Sequence, residues 1–270
     1  MGWSQILRPV TLHSYVYGRW TSQYMAVLRR LIPRMRPDQR LHLAQRYHAK
    51  VLTPELAGAV ITLDRDIALR DLEQVIPYPH ARDLILSGPP DIAVYECACR
   101  LSRPGHCEPT QVCLIVGQPF VDFTVDHHPR GARRLDRAEA LELLRQEHER
   151  GHIHTAWFRD TALNRFYAIC NCCRCCCVGL EAMVRHGVGV MASSGYVARV
   201  DAERCVGCGA CWEACPFGAL HEREGMAEVD WDRCMGCSVC VGRCPAGALT
   251  LERDEDKGIP LDVRALAESM

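Results

Sequence analysis

Residues 205–216 read Cys-Val-Gly-Cys-Gly-Ala-Cys-Trp-Glu-Ala-Cys-Pro, and residues 234–245 read Cys-Met-Gly-Cys-Ser-Val-Cys-Val-Gly-Arg-Cys-Pro. Both stretches have the spacing C-x2-C-x2-C-x3-C-P. The likeness extends outward on both sides, from Ala198 and Ala227 to Leu220 and Leu249. Each unit is predicted to form a strand, a cysteine loop, a short helix and a second strand. Neither unit could bury a face alone, so we predict that the two pack as a pseudo-twofold pair, called the repeat module (residues 196–252).

The cysteine spacing of the repeat module is suited to two [4Fe–4S] cubanes, each of which needs four thiolates at its corners. Three closely spaced cysteines wrap one side of a cubane, and the fourth points away to serve the other cluster. Gly207 and Gly236 allow backbone N–H groups to approach the cluster sulfurs. The predicted ligand sets are Cys205, Cys208, Cys211 and Cys244 for one cluster, and Cys234, Cys237, Cys240 and Cys215 for the other.

These residues closely resemble the bacterial two-cluster ferredoxin family. The resemblance implies a ferredoxin-like (βαβ)2 fold and the transfer of single electrons. The competing interpretation is a zinc ribbon, whose cysteines also come in C-x2-C pairs. Because zinc takes four ligands, eight cysteines in this order fit two cubanes better.

Ten further cysteines precede the repeat module in two groups. The first group has four members in a loop broken by proline and glycine, enough to enclose a third cubane: Cys97, Cys99, Cys107 and Cys113. The second group has six members within eight residues: Cys170, Cys172, Cys173, Cys175, Cys176 and Cys177. As a helix, this segment would place Cys170, Cys173 and Cys177 on one face. Either two clusters flank the segment, or it is a loop in which some cysteines are simply buried.

Charge favours metal at these ten upstream cysteines, because neighbouring thiolates without metal would repel one another. Arg100, Arg103 and Arg174 lie among them and would offset the negative charge of metal-bound thiolates. We therefore assign all ten to iron–sulfur ligation. They would hold a third [4Fe–4S] cluster, and they are numerous enough to hold a fourth. The alternatives are buried free cysteines, zinc in place of iron, a redox-active disulfide or persulfide, and ligation by His106.

The upstream half also resembles, more loosely, a group of prokaryotic multi-cluster iron–sulfur proteins. These proteins carry a C-x-C-R loop, a Cys-Asn-Cys-Cys-type segment and a C-terminal ferredoxin module. The matching stretches here are Cys97–Arg100, Cys107–Cys113 and Cys170–Cys177, followed by the two repeats. The resemblance implies metal ligation and leaves the substrate open.

The predicted fold class is α+β, with a mainly helical or α+β cysteine-rich N-terminal domain ahead of the repeat module. That domain spans residues 1–195, with a helical part over 1–90 and a cluster-binding part over 91–190, and residues 253–270 form a C-terminal tail. The predicted elements are helices over 25–32, from Asp38 to about Lys50, after the N-cap Thr53, and from Asp136 to Gly151; strands over 91–95 and 152–158; and a strand or short helix over 111–116.

Composition is ordinary for a soluble globular protein, with 48% hydrophobic and 24% charged residues in a chain of 270. We expect a cytoplasmic protein, since the sequence shows no secretory signal and no long apolar run. Residues 1–50 hold nine basic side chains and one acid, Asp38. We interpret this basic segment as a docking surface for a redox protein or enzyme, and we expect no nucleic-acid partner because no helix-turn-helix is convincing.

Every strong motif in the chain is a set of cluster ligands, and no dinucleotide, P-loop or nucleophile-elbow motif occurs. The leading hypothesis is an electron-transfer protein that relays single electrons through three or four [4Fe–4S] clusters to or from a redox partner. The alternative is an iron–sulfur reductase, an oxidoreductase in which an upstream cluster or spare cysteines reduce a substrate and the repeat module supplies electrons. An anaerobic or microaerobic setting is expected for either function.

Overall fold

A computed structural model describes residues 9–268, with side chains from residue 12 onward. The predicted mixture of helix and sheet is confirmed. The helices are α1 (Pro9–Arg19), α2 (Thr21–Leu31), α3 (Pro37–Arg46), α4 (Pro54–Ile61), α5 (Ala98–Leu101), α6 (Phe120–His127), α7 (Arg137–Glu149), α8 (Val178–His186), α9 (Ala210–Ala214), α10 (Val239–Arg243) and α11 (Val263–Glu268). The strands are β1 (Tyr47–Leu52), β2 (Ile67–Leu69), β3 (Leu84–Leu86), β4 (Ile92–Glu96), β5 (Gln111–Val116), β6 (Ala132–Leu135), β7 (Ile153–Arg159), β8 (Arg165–Cys172), β9 (Met191–Ala192), β10 (Tyr196–Val200), β11 (Leu220–Arg223), β12 (Met226–Val229) and β13 (Leu249–Arg253).

The centre of the upstream part is a seven-stranded sheet in the order β6-β4-β5-β8-β7-β1-β9. Neighbouring strands are antiparallel, except for the parallel pair β1 and β9. Side chains alternate between the two faces of a strand. In β5, Leu114 and Val116 enter the core on one face, while Ile115 enters the core on the opposite face. The sheet therefore separates two hydrophobic cores.

Two helices that pack together on the first of these faces, α4 and α7, begin with the predicted caps. Thr53 Oγ1 accepts a hydrogen bond from the backbone N–H of Leu56 at 3.3 Å. Asp136 and Glu139 form a reciprocal capping box, with bonds of 2.8 and 3.0 Å between each side chain and the other residue's backbone N–H. These caps satisfy N–H groups that the first helical turn leaves without an intrahelical partner.

The prediction of a mainly helical segment over residues 1–90 was wrong in two places. Helix α3 ends at Arg46, and the chain continues as β1 instead of staying helical to about Lys50. Strand β1 pairs along its whole length with β7, and Lys50 is buried within it. Beyond Ile61, described residues up to position 90 form turns and the short paired strands β2 and β3. In both places, pairing with a distant strand overrides the local pattern.

The predicted strand over 91–95 is confirmed as β4, and that over 152–158 as β7. Residues 111–116, left open between strand and helix, form β5. The repeat module has the predicted order, with β10, α9 and β11 in the first repeat and β12, α10 and β13 in the second. The antiparallel pairs β10–β13 and β11–β12 each join one repeat to the other. The two repeats are thus packed as a pseudo-twofold pair.

The segment after the repeat module returns to the upstream part of the chain. Leu261 and Val263 are fully buried in the core beneath α4. Arg264 Nη2 donates to Thr62 Oγ1 at 3.0 Å, at the end of α4. The predicted tail is therefore packed against the first hydrophobic core. Among the described residues, the helices are all too short or too polar to cross a membrane.

The capping box at Asp136 gives a test of the fold. Asp136→Ala removes the acceptor for the Glu139 N–H and is expected to cost about 1 kcal/mol, which lowers the apparent melting temperature by roughly 2–4 °C. Asp136→Asn keeps an acceptor and is the matched control. Anaerobic thermal scans at one heating rate measure both. Equal shifts for the two variants would contradict a capping role.

Candidate metal centres

The structure brings the eight cysteines of the repeat module together in the two predicted sets. In each set the fourth cysteine comes from the other repeat. Cys237 interacts electrostatically with Cys215, Cys234 and Cys240. One small cleft is lined by the four thiols Cys205, Cys208, Cys211 and Cys244.

Backbone N–H groups point at four of these sulfurs, at 3.2–3.5 Å. Such hydrogen bonds stabilise thiolates and tune a bound cluster. The two donors to the first cysteines of the motifs are separated by the same number of residues as Cys205 and Cys234, and so are the two donors to the fourth cysteines. The hydrogen bonds therefore follow the pseudo-twofold relation. The pairs, donor first, are Ala198 and Cys234, Ala227 and Cys205, Ala219 and Cys215, and Ala248 and Cys244.

Glycine is required in both cysteine loops. Gly207 has φ +64° and Gly236 has φ +63°, in the left-handed region that side chains disfavour. A Cβ on Gly207 would collide with the carbonyl oxygen of Gly225. A Cβ on Gly236 would collide with Ser194 Oγ and the carbonyl oxygen of Tyr196. Both cysteine loops are therefore closely packed against neighbouring segments at these two glycines.

The ten upstream cysteines are regrouped by the fold. The expectation that Cys97, Cys99, Cys107 and Cys113 enclose one cluster by themselves was wrong, because Cys107 lies apart from the other three. Members of both sequence groups meet in two mixed sets. The first, called the four-thiol group, contains Cys107, Cys173, Cys175 and Cys176. The second, called the thiol ring, contains Cys97, Cys99, Cys113, Cys170, Cys172 and Cys177.

The four-thiol group is compact. Cys107 Sγ lies 3.4 Å from Cys173 Sγ, 3.4 Å from Cys175 Sγ and 3.6 Å from Cys176 Sγ. The sulfurs of Cys175 and Cys176 are 3.5 Å apart. Among the described residues, this group alone brings three or more His, Cys, Asp or Glu ligand atoms within 4.8 Å of one another. The four sulfurs are therefore positioned to share one small centre.

The thiol ring is wider. Each of its thiols interacts with the two beside it, in the closed order Cys97, Cys113, Cys170, Cys172, Cys177, Cys99 and back to Cys97. No three of these thiols, all of which the structure describes, come within 4.8 Å of one another. Hydrogen bonds from Cys170 and Cys177 lower the pKa of Cys172 to about 7. Within the ring, these hydrogen bonds favour the thiolate form of Cys172.

Strand geometry explains how the thiol ring forms. The segment 170–177 was considered as a helix, but residues up to Cys172 belong to β8, and α8 begins only after its N-cap Cys177. Cys170 and Cys172 share one face of β8 because side chains alternate. The neighbouring strand β5 pairs Leu114 with Ile169, which brings the start of β5, with Cys113, to the end of β8.

One buried cation lies between the two sets of thiols. Arg100 and Glu147 are both fully buried, and Arg100 Nη2 lies 3.1 Å from Glu147 Oε2. Burial opposes the charge of Arg100, yet Cys173, Cys107 and Glu147 together raise its pKa above the usual value. Arg100 therefore stays charged and offsets negative charge on the nearby sulfurs, as the sequence predicted.

Further arginines bind the backbone of the cysteine segment. Arg103 Nη1 donates to the carbonyl oxygen of Cys175, and Arg174 Nη1 donates to that of Glu213 at 3.2 Å. Arg29, from α2, was not predicted to take part. Its Nη2 donates to the carbonyl oxygen of Cys176, and its Nε lies 3.0 Å from Glu181 Oε2. The N-terminal helices are thereby fixed to the upstream thiols.

A cavity of about 460 Å³ opens beside the thiol ring, and all six ring thiols contribute to its lining. Most of the remaining lining is apolar or aromatic. Tyr17 Oη lies 2.9 Å from Tyr167 Oη and 3.4 Å from Tyr47 Oη. Burial raises the pKa of all three tyrosines, so their hydroxyl groups are neutral. The volume is within the range of about 300–1,000 Å³ for small-molecule pockets.

Comparison with known proteins identifies one part of the chain. Residues 198–251 match the family model described as 4Fe-4S dicluster domain. The repeat module is an iron–sulfur module. No curated protein and no solved structure matches the chain. The family match therefore covers the repeat module and leaves the four-thiol group and the thiol ring outside it.

Sequence reasoning missed several residues that support the thiol ring. Asn171 Nδ2 donates to the Val112 carbonyl at 2.7 Å, and its Oδ1 accepts from His154 Nδ1 at 2.6 Å. Thr155 Oγ1 lies 3.4 Å from Cys172 Sγ. An asparagine flanked by cysteines within a buried strand was the one available signal. The N-terminal tyrosines gave no such signal, and Tyr17 lines the cavity.

The buried ion pair gives a test at this site. Arg100→Met leaves Glu147 and the adjacent thiols without their buried cation. Breaking such a pair costs about 3 kcal/mol or more, so the apparent melting temperature is expected to fall by roughly 6 °C. Arg137→Met, at an exposed arginine of α7, is the control. Anaerobic thermal scans measure the melting temperatures of both variants. A similar fall in both would contradict a stabilising role of the Arg100–Glu147 ion pair.

Proposed function

We propose that this chain is an electron-transfer protein in which the repeat module exchanges single electrons with a third iron–sulfur cluster held by the thiol ring. The repeat module carries the 4Fe-4S dicluster domain. The proposal rests on one observation, the continuous packing between that module and the thiol ring. A relay needs its centres held close together by rigid protein, and the contacts at this junction meet that need.

The thiol ring and the repeat module share one hydrophobic core. Cys172 and Cys177 of the ring belong to the same buried cluster as Cys211 and Cys215 of the module. Arg174 joins the two by its hydrogen bond to Glu213, within α9 and between those two module cysteines. Ser194 Oγ donates to the carbonyl oxygen of Gly236 at 2.8 Å, beside the second cysteine loop. These contacts fix the distance between the two parts.

The thiol ring suits a cluster because it is buried and offers sulfur donors with a cation nearby. Four of its six thiols suffice for a cubane, which supplies an acceptor for one electron at a time. The two spare thiols predicted from the sequence then both belong to the ring. Arg100 offsets negative charge on the donors, and Thr155 Oγ1 lies 3.4 Å from Cys172 Sγ.

The partner is proposed to be a redox protein or enzyme. Four of the nine basic residues of the N-terminal segment are buried or half-buried within the protein: Arg29, Arg40, Arg46 and Lys50. Arg8 lies outside the described residues. A docking surface would therefore use the exposed arginines that remain: Arg19, Arg30, Arg34 and Arg36.

Metal analysis tests the third cluster. Replacing Cys97, Cys113 and Cys170 together by Ser leaves three ring thiols, one fewer than a cubane needs, and is expected to lower iron and acid-labile sulfide by about four per chain while the two module clusters remain. Cys175→Ser, outside the ring, is the matched control and should leave the sulfide content unchanged. Proteins are purified without oxygen, and EPR of the reduced samples follows each cluster. Unchanged iron and EPR in the triple ring variant would exclude a cluster there.

The cavity favours a second function, an iron–sulfur reductase. The thiol ring forms one wall of this space, and neutral tyrosine hydroxyls face it, so both spare thiols and proton donors are at hand. A small apolar or aromatic substrate fits the lining best. In this case, electrons from the repeat module would be used within the chain.

A small probe distinguishes the reductase from a simple carrier. Phenol added to the reduced protein should shift the EPR signal assigned to the thiol ring, because it would enter the cavity next to it. Ala162→Phe, which fills part of the cavity, should abolish the shift and leave the module signals unchanged. A ring signal that is insensitive to phenol in the unmodified chain would favour the carrier.

A further inference from the structure

We infer that the four-thiol group is a mononuclear tetrathiolate site that binds one tetrahedral divalent ion, zinc or iron, and does not hold an iron–sulfur cubane. This site lies outside the thiol ring, and the proposed relay does not require it. From the sequence, these four cysteines were expected to ligate iron–sulfur clusters, with zinc as an alternative. The spacing of the sulfurs favours the single ion.

The sulfur separations carry the argument. A metal–sulfur bond of about 2.3 Å in a tetrahedron places the sulfurs roughly 3.8 Å apart. The four separations given above are 3.4–3.6 Å, close to that edge length. In a cubane each thiolate binds a different iron, so the sulfurs must stand farther apart. The four-thiol group is therefore too compact for a cubane and close to the size of a single-ion site.

The repeat module provides an internal comparison. Its cysteines belong to the matched 4Fe-4S dicluster domain, and all of them lie within the described residues. No three of these thiols come within 4.8 Å of one another, whereas all four sulfurs of the four-thiol group do. The same chain thus contains wide thiol sets where cubanes are expected and one compact set.

The local backbone produces this compactness. Cys173, Cys175 and Cys176 lie in one turn, closed by the hydrogen bond from the Cys177 N–H to the Cys173 carbonyl at 3.2 Å. Three thiol ligands from four consecutive residues can approach a single ion more readily than they can surround a larger cluster. Cys107 completes the set from the loop between α5 and β5. A bound ion would thereby fasten that loop to the turn.

The electrostatic surroundings suit an ion bound by four thiolates. Such a centre carries a net charge of −2, since four thiolates surround a divalent cation. Arg100 faces Cys107 and Cys173 from the buried side. Arg103 and Arg29 bind the carbonyl groups of Cys175 and Cys176. Three arginines therefore place positive charge near the group.

Metal analysis of the full chain tests the site. Cys107→Ser and Cys175→Ser are compared with the unmodified protein after anaerobic purification, by elemental analysis for zinc and iron and by assay of acid-labile sulfide. Each variant is expected to lose one zinc, or one iron, per chain with no loss of sulfide. In the unmodified protein, X-ray absorption at the edge of that metal should show four sulfur neighbours at about 2.3 Å and no nearby iron.

Two outcomes would overturn the inference. One is the loss of about four irons together with four sulfides in these variants, which is the signature of a cubane. The other is unchanged metal content in both. Cys175 is exposed, so its variant is the milder one, and retention of the module EPR signals shows that the chain is folded. The triple ring variant reports on the thiol ring separately, so failure of this inference is distinguishable from failure of the proposed relay.

Discussion

The antiparallel pairing of β8 with its two neighbours is the constraint on which the grouping of the upstream cysteines depends. It brings Cys170 and Cys172 to one face of the sheet, beside the start of β5 and across from Thr155 of β7. A slip of one residue would turn both thiols into the opposite core and bring Ile169 and Asn171 into their place. Asn171 opposes such a slip, because its side chain bonds to both neighbouring strands.

A second requirement is electrostatic. Thiolates collected in a buried region would repel one another strongly at low dielectric. The chain meets this with arginine, which keeps its charge when buried. Arg100 lies between the two upstream sets. Arg29, on a helix distant in sequence, adds a second positive charge beside the cysteine segment. The position of the N-terminal helices is therefore tied to the charge of the cysteine segment.

Features encoded by local spacing could be predicted from the sequence. The cysteine motifs of the repeat module and the caps at Thr53 and Asp136 depend on residues within a few positions of one another. The grouping of the upstream cysteines depends instead on the pairing of distant strands, so Cys107 could not be separated from its sequence neighbours. Strand β1 was missed for the same reason, since its partner β7 lies about a hundred residues later.

The segment after β13 has a mechanical consequence. Together with the connection through Ser194 at its start, the packing of Leu261 and Val263 attaches the repeat module to the upstream part at both of its ends. A unit held at two points cannot swing on a hinge. Electron tunnelling between the two parts would thus proceed at a constant separation, without waiting for a conformational search. Its rate would be set by driving force and reorganisation energy.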